Sequence, residues 1–180
     1  MTRPAGRWRA VVCVAVLLAG TAGAAAPARA ADGDRVLTLI RRIVDLSAGK
    51  EVARTMTDGN KVAIDLSSDV LFAFGAATLS SGSQQTLQRA SDELGKAKAG
   101  TVRVDGYTDA KGSDAVNVPL SQQRAQAVAE ALTRLAGSRF RFQVSGHGSA
   151  DPVAPNSRAG ADNPAGRALN RRVTLSFQRS

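Results

Sequence analysis

The chain has 180 residues but only one cysteine, one histidine, one tryptophan and one tyrosine, and aromatic residues make up 4% of it. The cysteine is Cys13, close to the start. Beyond it no thiol exists, which excludes a disulfide framework, a thiolate nucleophile and a thiolate metal site there. His147 stands alone between Gly146 and Gly148. One imidazole with no second histidine or cysteine is a poor metal or catalytic centre. Ser145 two residues before it makes no triad, since a base, an orienting group and an oxyanion hole are all required. No metal, no cofactor and no enzymatic activity are expected. Long apolar runs are lacking too: the run from Ala10 to Ala19 falls well short of the roughly 20 residues that span a bilayer.

That short run has a different meaning. Arg3, Arg7 and Arg9 precede it, and Ala28-Arg29-Ala30 follows it as a small-x-small cleavage signal. This is the layout of a secretory signal peptide over residues 1–30. Cys13 lies too early in it to be a lipidated cysteine at the cleavage site. The formal charge of +9 comes from 24 basic and 15 acidic residues. Four of the basic residues, and none of the acids, lie in residues 1–30, leaving 20 against 15, a net +5. Such a surface favours an anionic partner, and export argues against nucleic acid.

Residues 31–60 form an N-terminal extension with one or two strands, mixed in period, ending at the turn signal Asp58-Gly59-Asn60. The domain proper is expected over residues 61–180. Val62, Ile64 and Leu66 alternate as a strand does. Val70 to Phe74 continues in strand style, with Val70, Phe72 and Phe74 on one side. Leu87, Ala90, Leu94 and Ala97 recur at helical spacing, so residues 83–98 read as an amphipathic helix. Val102 and Val104 mark a strand, followed by a loop from Thr108 to Leu120. Ser121 is expected to cap a second helix, with Ala125, Val128, Ala131, Leu132 and Leu135 as its apolar stripe. Phe140, Phe142 and Val144 mark another strand. Residues 146–166 read as a long surface loop. Arg172 to Phe177 reads as the last strand. The order βαβαββ predicts an α+β two-layer sandwich: a mixed β-sheet with two main helices on one face.

Candidate chemistry gathers at two places. Asp109 follows the strand ending at Tyr107, and Arg124 falls in the first turn of the helix expected from Ser121. A cation there opposes the helix dipole, while the first-turn amides favour an anion. Arg124 with those amides could cradle a carboxylate. Asp109 and Arg124 could equally form an ordinary ion pair. The functional alternative is a zwitterion clamp, with a ligand carboxylate on Arg124 and a ligand ammonium on Asp109.

These residues carry a resemblance. Asn117-x-x-Leu120-Ser121-x-x-Arg124-Ala125-x-x-Val128-x-x-x-Leu132 resembles, at every fixed position, the motif of the OmpA-like C-terminal, peptidoglycan-associating domain family. Gly106-Tyr107-Thr108-Asp109 is similar to that family's Gly-His-Thr-Asp, Asn170-Arg171-Arg172-Val173 to its Asn-Arg-Arg-Val, and Val70 to Phe74 to its opening strand. The resemblance spans roughly residues 62–178. It implies a peptidoglycan partner, bound through the free amine and carboxylate of a diaminopimelate residue in the stem peptide. It also implies that Asp109 and Arg124 make the charged contacts. Phe72, Ala73, Thr108, Asn117 and Leu120 would help form the pocket, with Arg172 close by. Arg171 and Arg172 are adjacent at a strand start, so their side chains are expected on opposite faces, Arg172 toward the pocket and Arg171 solvated or paired. Ala73 and Gly75 stand where the family often has acids. The implied role is a wall anchor, in the cell wall or periplasm. The competing role is an assembly subunit of an envelope channel or stator-like complex, meeting an envelope protein through residues 31–60.

Overall fold

The computed structural model describes residues 39–45 and 50–180, with side chains from residue 53 onward. The expected leader, residues 1–30, lies outside the described residues. Two strands open the fold, β1 (Leu39–Asp45) and β2 (Lys50–Asp58), paired antiparallel. A tight turn leads into β3 (Lys61–Ser67), and Gly59 at its centre takes φ +53°, the left-handed region glycine adopts without strain. β2 and β3 pair along their length, so the strands within residues 31–60 belong to the same sheet as the rest.

Residues 68–74 depart from the expected strand. Ser68–Leu71 form a single helical turn, α1, closed by Phe72 N–H donating to Ser68 O at 3.0 Å. Phe72 then makes one isolated bridge to Leu79. Leu71 and Phe72 are both buried, whereas Phe74 is fully exposed, so the alternation assumed over 70–74 does not occur. β3 ends at Ser67; Ser68 N–H still donates to Arg171 O at 2.9 Å, in register with the final strand, and the turn of α1 then takes the chain away from the sheet.

α2 (Ser83–Leu94) follows with Leu87, Ala90 and Leu94 buried, then β4 (Gly100–Gly106) with Val102 and Val104 buried. The second main helix, α3 (Asp114–Ala136), has Ser113 at its N-cap position, with no side-chain capping bond, and begins seven residues before Ser121. Pro119 lies inside it. A proline costs an interior hydrogen bond. The burial of Asn117, Ser121, Arg124 and Ala125 along one side holds the helix together through it. Leu135, expected in the apolar stripe, is largely exposed near the helix end.

β5 (Phe140–Gly146) follows, then a loop holding the small hairpin β6 (Ser157–Arg158) and β7 (Ala161–Asp162). α4 (Pro164–Asn170) follows, its first three residues lying within the loop expected over 146–166. Its start is a cap, with Asn163 Oδ1 accepting Gly166 N–H at 3.2 Å and Pro164 in the first turn. β8 (Arg172–Gln178) is last.

The sheet order is β1-β2-β3-β8-β4-β5. The final strand enters the centre, antiparallel to β3 and to β4, while β4 and β5 run parallel across the α3 connection. Val62, Ile64 and Leu66 lie opposite Phe177, Leu175 and Val173, and Val104 lies opposite Leu175. These side chains form the inner face, and the two main helices cover it with Leu87, Leu94, Val128 and Leu132. Each such side chain contributes about 1.5–3 kcal/mol by leaving water. The α+β two-layer sandwich with a mixed sheet is therefore the architecture observed.

Candidate functional site

The site is placed by two glycines. Gly106 and Gly146 face each other across β4 and β5. A Cβ on Gly106 would lie 2.1 Å from Ser121 O, and one on Gly146 would lie 2.4 Å from Gln122 N. The backbone of α3 rests directly on both strands at this point. Ser121 Oγ, with no exposed surface, accepts Gly148 N–H at 2.9 Å, and Gly148 O accepts Thr108 N–H at 2.7 Å. The end of β4 is thus locked to the helix just before Asp109. Arg124 follows one turn beyond Ser121.

Asn117, buried, donates from Nδ2 to Lys111 O at 3.0 Å, which closes the loop after Asp109. Gly112, at φ +92°, makes that loop tight. Arg124 is also buried, at 6% exposure. Its Nε donates to Ala76 O at 2.9 Å, and its guanidinium lies 5.4 Å from the centre of the Phe72 ring. Arg124 therefore sits in the helix interior, with its side chain gripped by the 72–76 loop. The first-turn amides proposed as an anion cradle at Ser121–Arg124 are internal to α3, so that part of the cradle is not there.

Asp109 is held from three sides. Its Oδ1 accepts Lys111 N–H at 2.9 Å. Its Oδ2 accepts Arg171 Nη1 at 2.6 Å and Arg167 Nη1 at 3.4 Å. Burial raises the Asp109 carboxyl, but the Lys111 amide and the Arg171 and Arg167 guanidinia outweigh it and leave it below the ordinary carboxylate value. Arg171 in turn grips Asp69 at two points, Nε–Oδ1 at 2.7 Å and Nη2–Oδ2 at 2.6 Å. Arg167 grips Asp162 in the same way, at 2.8 and 2.6 Å. Acid and base alternate from Asp69 through Arg171, Asp109 and Arg167 to Asp162.

Asp109 and Arg124 do not pair with each other; the basic partners of Asp109 are Arg171 and Arg167. Arg124 nevertheless lies within reach of the Asp109 charge. Burial lowers the pKa of Arg124, Asp69 and Asp109 oppose that through their charge, and Arg171 adds to it.

Phe72, Thr108 and Asn117 are buried around these groups, Leu120 is half-buried, and Ala73 is exposed. Thr108 Oγ1 is buried without a hydrogen-bond partner. Arg172 is not part of this cluster. It stacks on the Tyr107 ring at 3.8 Å, donates to Asp151 O at 3.1 Å and approaches Asp65 at 3.9 Å. Tyr107 stacks in turn on His147, whose Nε2 lies 3.0 Å from Asp105 Oδ1. The histidine is therefore occupied in a polar stack.

Arg171 rather than Arg172 reaches Asp109. Strand alternation assigns neighbouring side chains to opposite faces, but Arg171 is the C-cap of α4, before the strand begins. Sequence reasoning also passed over Asp69 and Arg167. The helix start at Asn163-Pro164 was the available signal, because it places Arg167 and Arg171 one turn apart on α4. A separate cavity of about 820 Å³ lies elsewhere, lined by Met56, Lys61, Ala63, Arg103, Gln143 and Ser176 among others.

Comparison with known proteins gives a consistent picture. Outer membrane protein P5 of Haemophilus influenzae is 44% identical over 88 residues, 49% of this chain and 25% of that protein. The peptidoglycan-binding protein ArfA of Mycobacterium tuberculosis is 36% identical over 106 residues, 59% of this chain and 31% of that protein. The chain thus spans about a quarter to a third of these relatives' length. The structure of the cell wall anchor of the T6SS from Pseudomonas aeruginosa superposes with TM-score 0.60 at 30% identity, covering 72% of this chain and 89% of that one. The family model described as OmpA family matches residues 71–165, more than half of the chain, and the chain belongs to that family.

Proposed function

We propose that this chain binds peptidoglycan non-covalently and anchors or organises the cell envelope, with Asp109 and Arg124 as the two charged contacts. The observation that carries the reading is their arrangement. Two buried, opposite charges share one locality, yet each is held by other groups, so the pair is not an internal salt bridge. Ala76 O occupies Nε of Arg124, and the Nη fork is the part suited to a ligand carboxylate. Asp109 retains acceptor capacity at Oδ1, since a carboxylate offers about four lone-pair sites. A ligand with ammonium and carboxylate on one carbon would answer both charges. In peptidoglycan that ligand is the uncross-linked end of diaminopimelate. Phe72, Ala73, Thr108, Asn117 and Leu120 would wall the pocket.

Relatives named for the same activity support the reading, ArfA as a peptidoglycan-binding protein and the T6SS structure as a cell wall anchor. The location that follows is the envelope outside the cytoplasm. Two charge-assisted contacts, on the order of 1.5–3 kcal/mol each, give micromolar to millimolar single-site affinity after association costs. That suits a polymer presenting many copies.

The test is co-sedimentation with purified peptidoglycan. Asp109→Ala and Arg124→Ala should abolish it while circular dichroism stays native, and diaminopimelate should compete where lysine, lacking the second carboxylate, does not. Retention by both variants discards the clamp. Release of soluble fragments from the wall would point to an enzyme instead.

A second reading, an assembly subunit with this domain as its wall-contacting foot, draws on the T6SS likeness. The outer edge of β1 is the sheet edge available for an envelope partner within residues 31–60. Loss of wall binding without loss of complex formation in Arg124→Ala would favour it.

A further inference from the structure

We propose that Arg171 and Asp69 are positioning residues of this site: Asp69 holds Arg171 at two points, and Arg171 fixes the Asp109 carboxylate in the orientation and charge state that a ligand ammonium requires. The inference rests on the clamp reading and adds what supports it. Neither residue touches the ligand.

Arg171 is unusually well fixed for a long side chain. Its backbone N–H donates to Arg167 O at 3.0 Å, and its carbonyl accepts Ser68 N–H at 2.9 Å. Its guanidinium then meets the neighbouring Asp69 with two short bonds. Planar guanidinium meeting planar carboxylate in this way fixes direction as well as distance. The remaining Nη1 is thereby aimed at Asp109 Oδ2, 2.6 Å away.

The consequence for Asp109 is geometric. Its Oδ2 faces two guanidinia, Arg171 and Arg167, and its Oδ1 is oriented by the Lys111 amide. The carboxylate cannot rotate without losing all three. What remains for an incoming ammonium is the second lone pair of Oδ1. Other charges around Asp109 are Arg124 on α3, Asp69 on α1, and Asp162 on β7, which Arg167 grips and Lys111 Nζ approaches at 3.9 Å. Of the two guanidinia that bond Asp109, Arg171 makes the shorter contact.

Asp69 also answers a question raised by the sequence. Acids are lacking at Ala73 and Gly75, and the carboxylate on this stretch comes from Asp69, one turn earlier. It serves Arg171 directly and opposes the effect of burial on Arg124 through its charge. Replacing Arg171 removes a stabilising partner of the ionised Asp109, so the Asp109 carboxyl titrates at higher pH in the variant. A purely structural salt bridge between α1 and the α4–β8 junction would change stability and leave diaminopimelate affinity of the folded protein unmoved.

The test uses the full chain with ¹³C-labelled aspartate, following the Asp109 carboxyl by NMR and diaminopimelate binding by titration. In Arg171→Gln the Asp109 midpoint should move to higher pH, the acid limb of binding should move with it, and affinity at neutral pH should fall about tenfold. Asp69→Asn should produce a smaller change in the same direction. Arg171→Lys keeps the charge but not the fork, and should restore the midpoint in part without restoring affinity. An unmoved Asp109 midpoint in natively folded Arg171→Gln overturns the proposal. If Arg171→Gln does not fold, an unmoved midpoint in both Asp69→Asn and Arg171→Lys overturns it. Wild-type protein that ignores diaminopimelate but shows the shifted midpoint would refute the clamp reading while leaving the positioning of Asp109 established.

Discussion

Gly106 lies opposite Gly146 on adjacent parallel strands, and the α3 backbone rests on both. This contact sets the height of the helix over the sheet, and therefore where Arg124 stands relative to Asp109. A methyl group at either position would enter the helix backbone, at 2.1 Å or 2.4 Å. Backbone cannot move aside as a side-chain tip can. Gly106→Ala and Gly146→Ala should each destabilise by about 3 kcal/mol or more in urea denaturation. Gly160→Ala is the control. Its Cβ would meet nothing, and only its φ of +79° is unfavourable, so the cost should be about 1 kcal/mol. Equal effects at all three positions would contradict close helix–strand contact.

Phe72 and Phe74 were expected on one face of a strand, and the structure separates them. Phe72 is 4% exposed and Phe74 entirely exposed. Phe72→Ala removes a packed ring beneath Arg124 and should cost about 3–5 kcal/mol. Phe74→Ala should stay within about 0.5 kcal/mol of wild type. Thermal and denaturant unfolding of the two variants decide between a helical turn and a strand here, because a strand would make both losses comparable.

The same contrast shows what the sequence could and could not reveal. Val62/Ile64/Leu66 and Val173/Leu175/Phe177 alternate cleanly because one face of each strand is buried, so their place was legible. Residues 70–74 also read as strand, yet Ser68–Leu71 close a helical turn, with Phe72 N–H on Ser68 O, so the strand has already ended. A short apolar run is compatible with either element, and no local pattern decides between them. The start of α3 was misplaced because Ser121 is a plausible N-cap, whereas the helix begins at Asp114 and Ser121 lies inside it, packed on Gly106. At the site, motif spacing singled out Asp109 and Arg124. The partners of Asp109 were hidden because Arg171 obeys a helix cap, not a strand alternation.

Acid should act on Asp109 in a defined direction. Its folded-state pKa lies below the ordinary value, so its contribution to stability is present above about pH 4 and is lost as pH falls through that lower folded value. Asp109→Asn should therefore cost on the order of 1–2 kcal/mol at neutral pH, and the gap to wild type should close in acid. Denaturation curves at pH 7, 5 and 3 measure it. A gap that stays constant down to pH 3 would mean that Asp109 charge is not what holds it.

Arg124 offers the sharpest separation of charge from geometry. Its Nε anchors to Ala76 O and its guanidinium lies 5.4 Å from the centre of the Phe72 ring, and on the proposed reading the Nη fork receives the carboxylate. Lysine keeps the positive charge but has no Nε–H to hold the 72–76 loop and no fork for a two-point grip. If charge alone recruited the wall, Arg124→Lys would bind nearly as wild type does. If the fork and its tether matter, the variant should lose at least about tenfold in affinity, one charge-assisted bond's worth. It should also leave the 72–76 loop more open to proteolysis while the core melts nearly unchanged. Wall co-sedimentation and limited proteolysis on the same preparation read both effects, and near-normal binding with a loosened loop would show that the tether shapes the loop without serving the ligand.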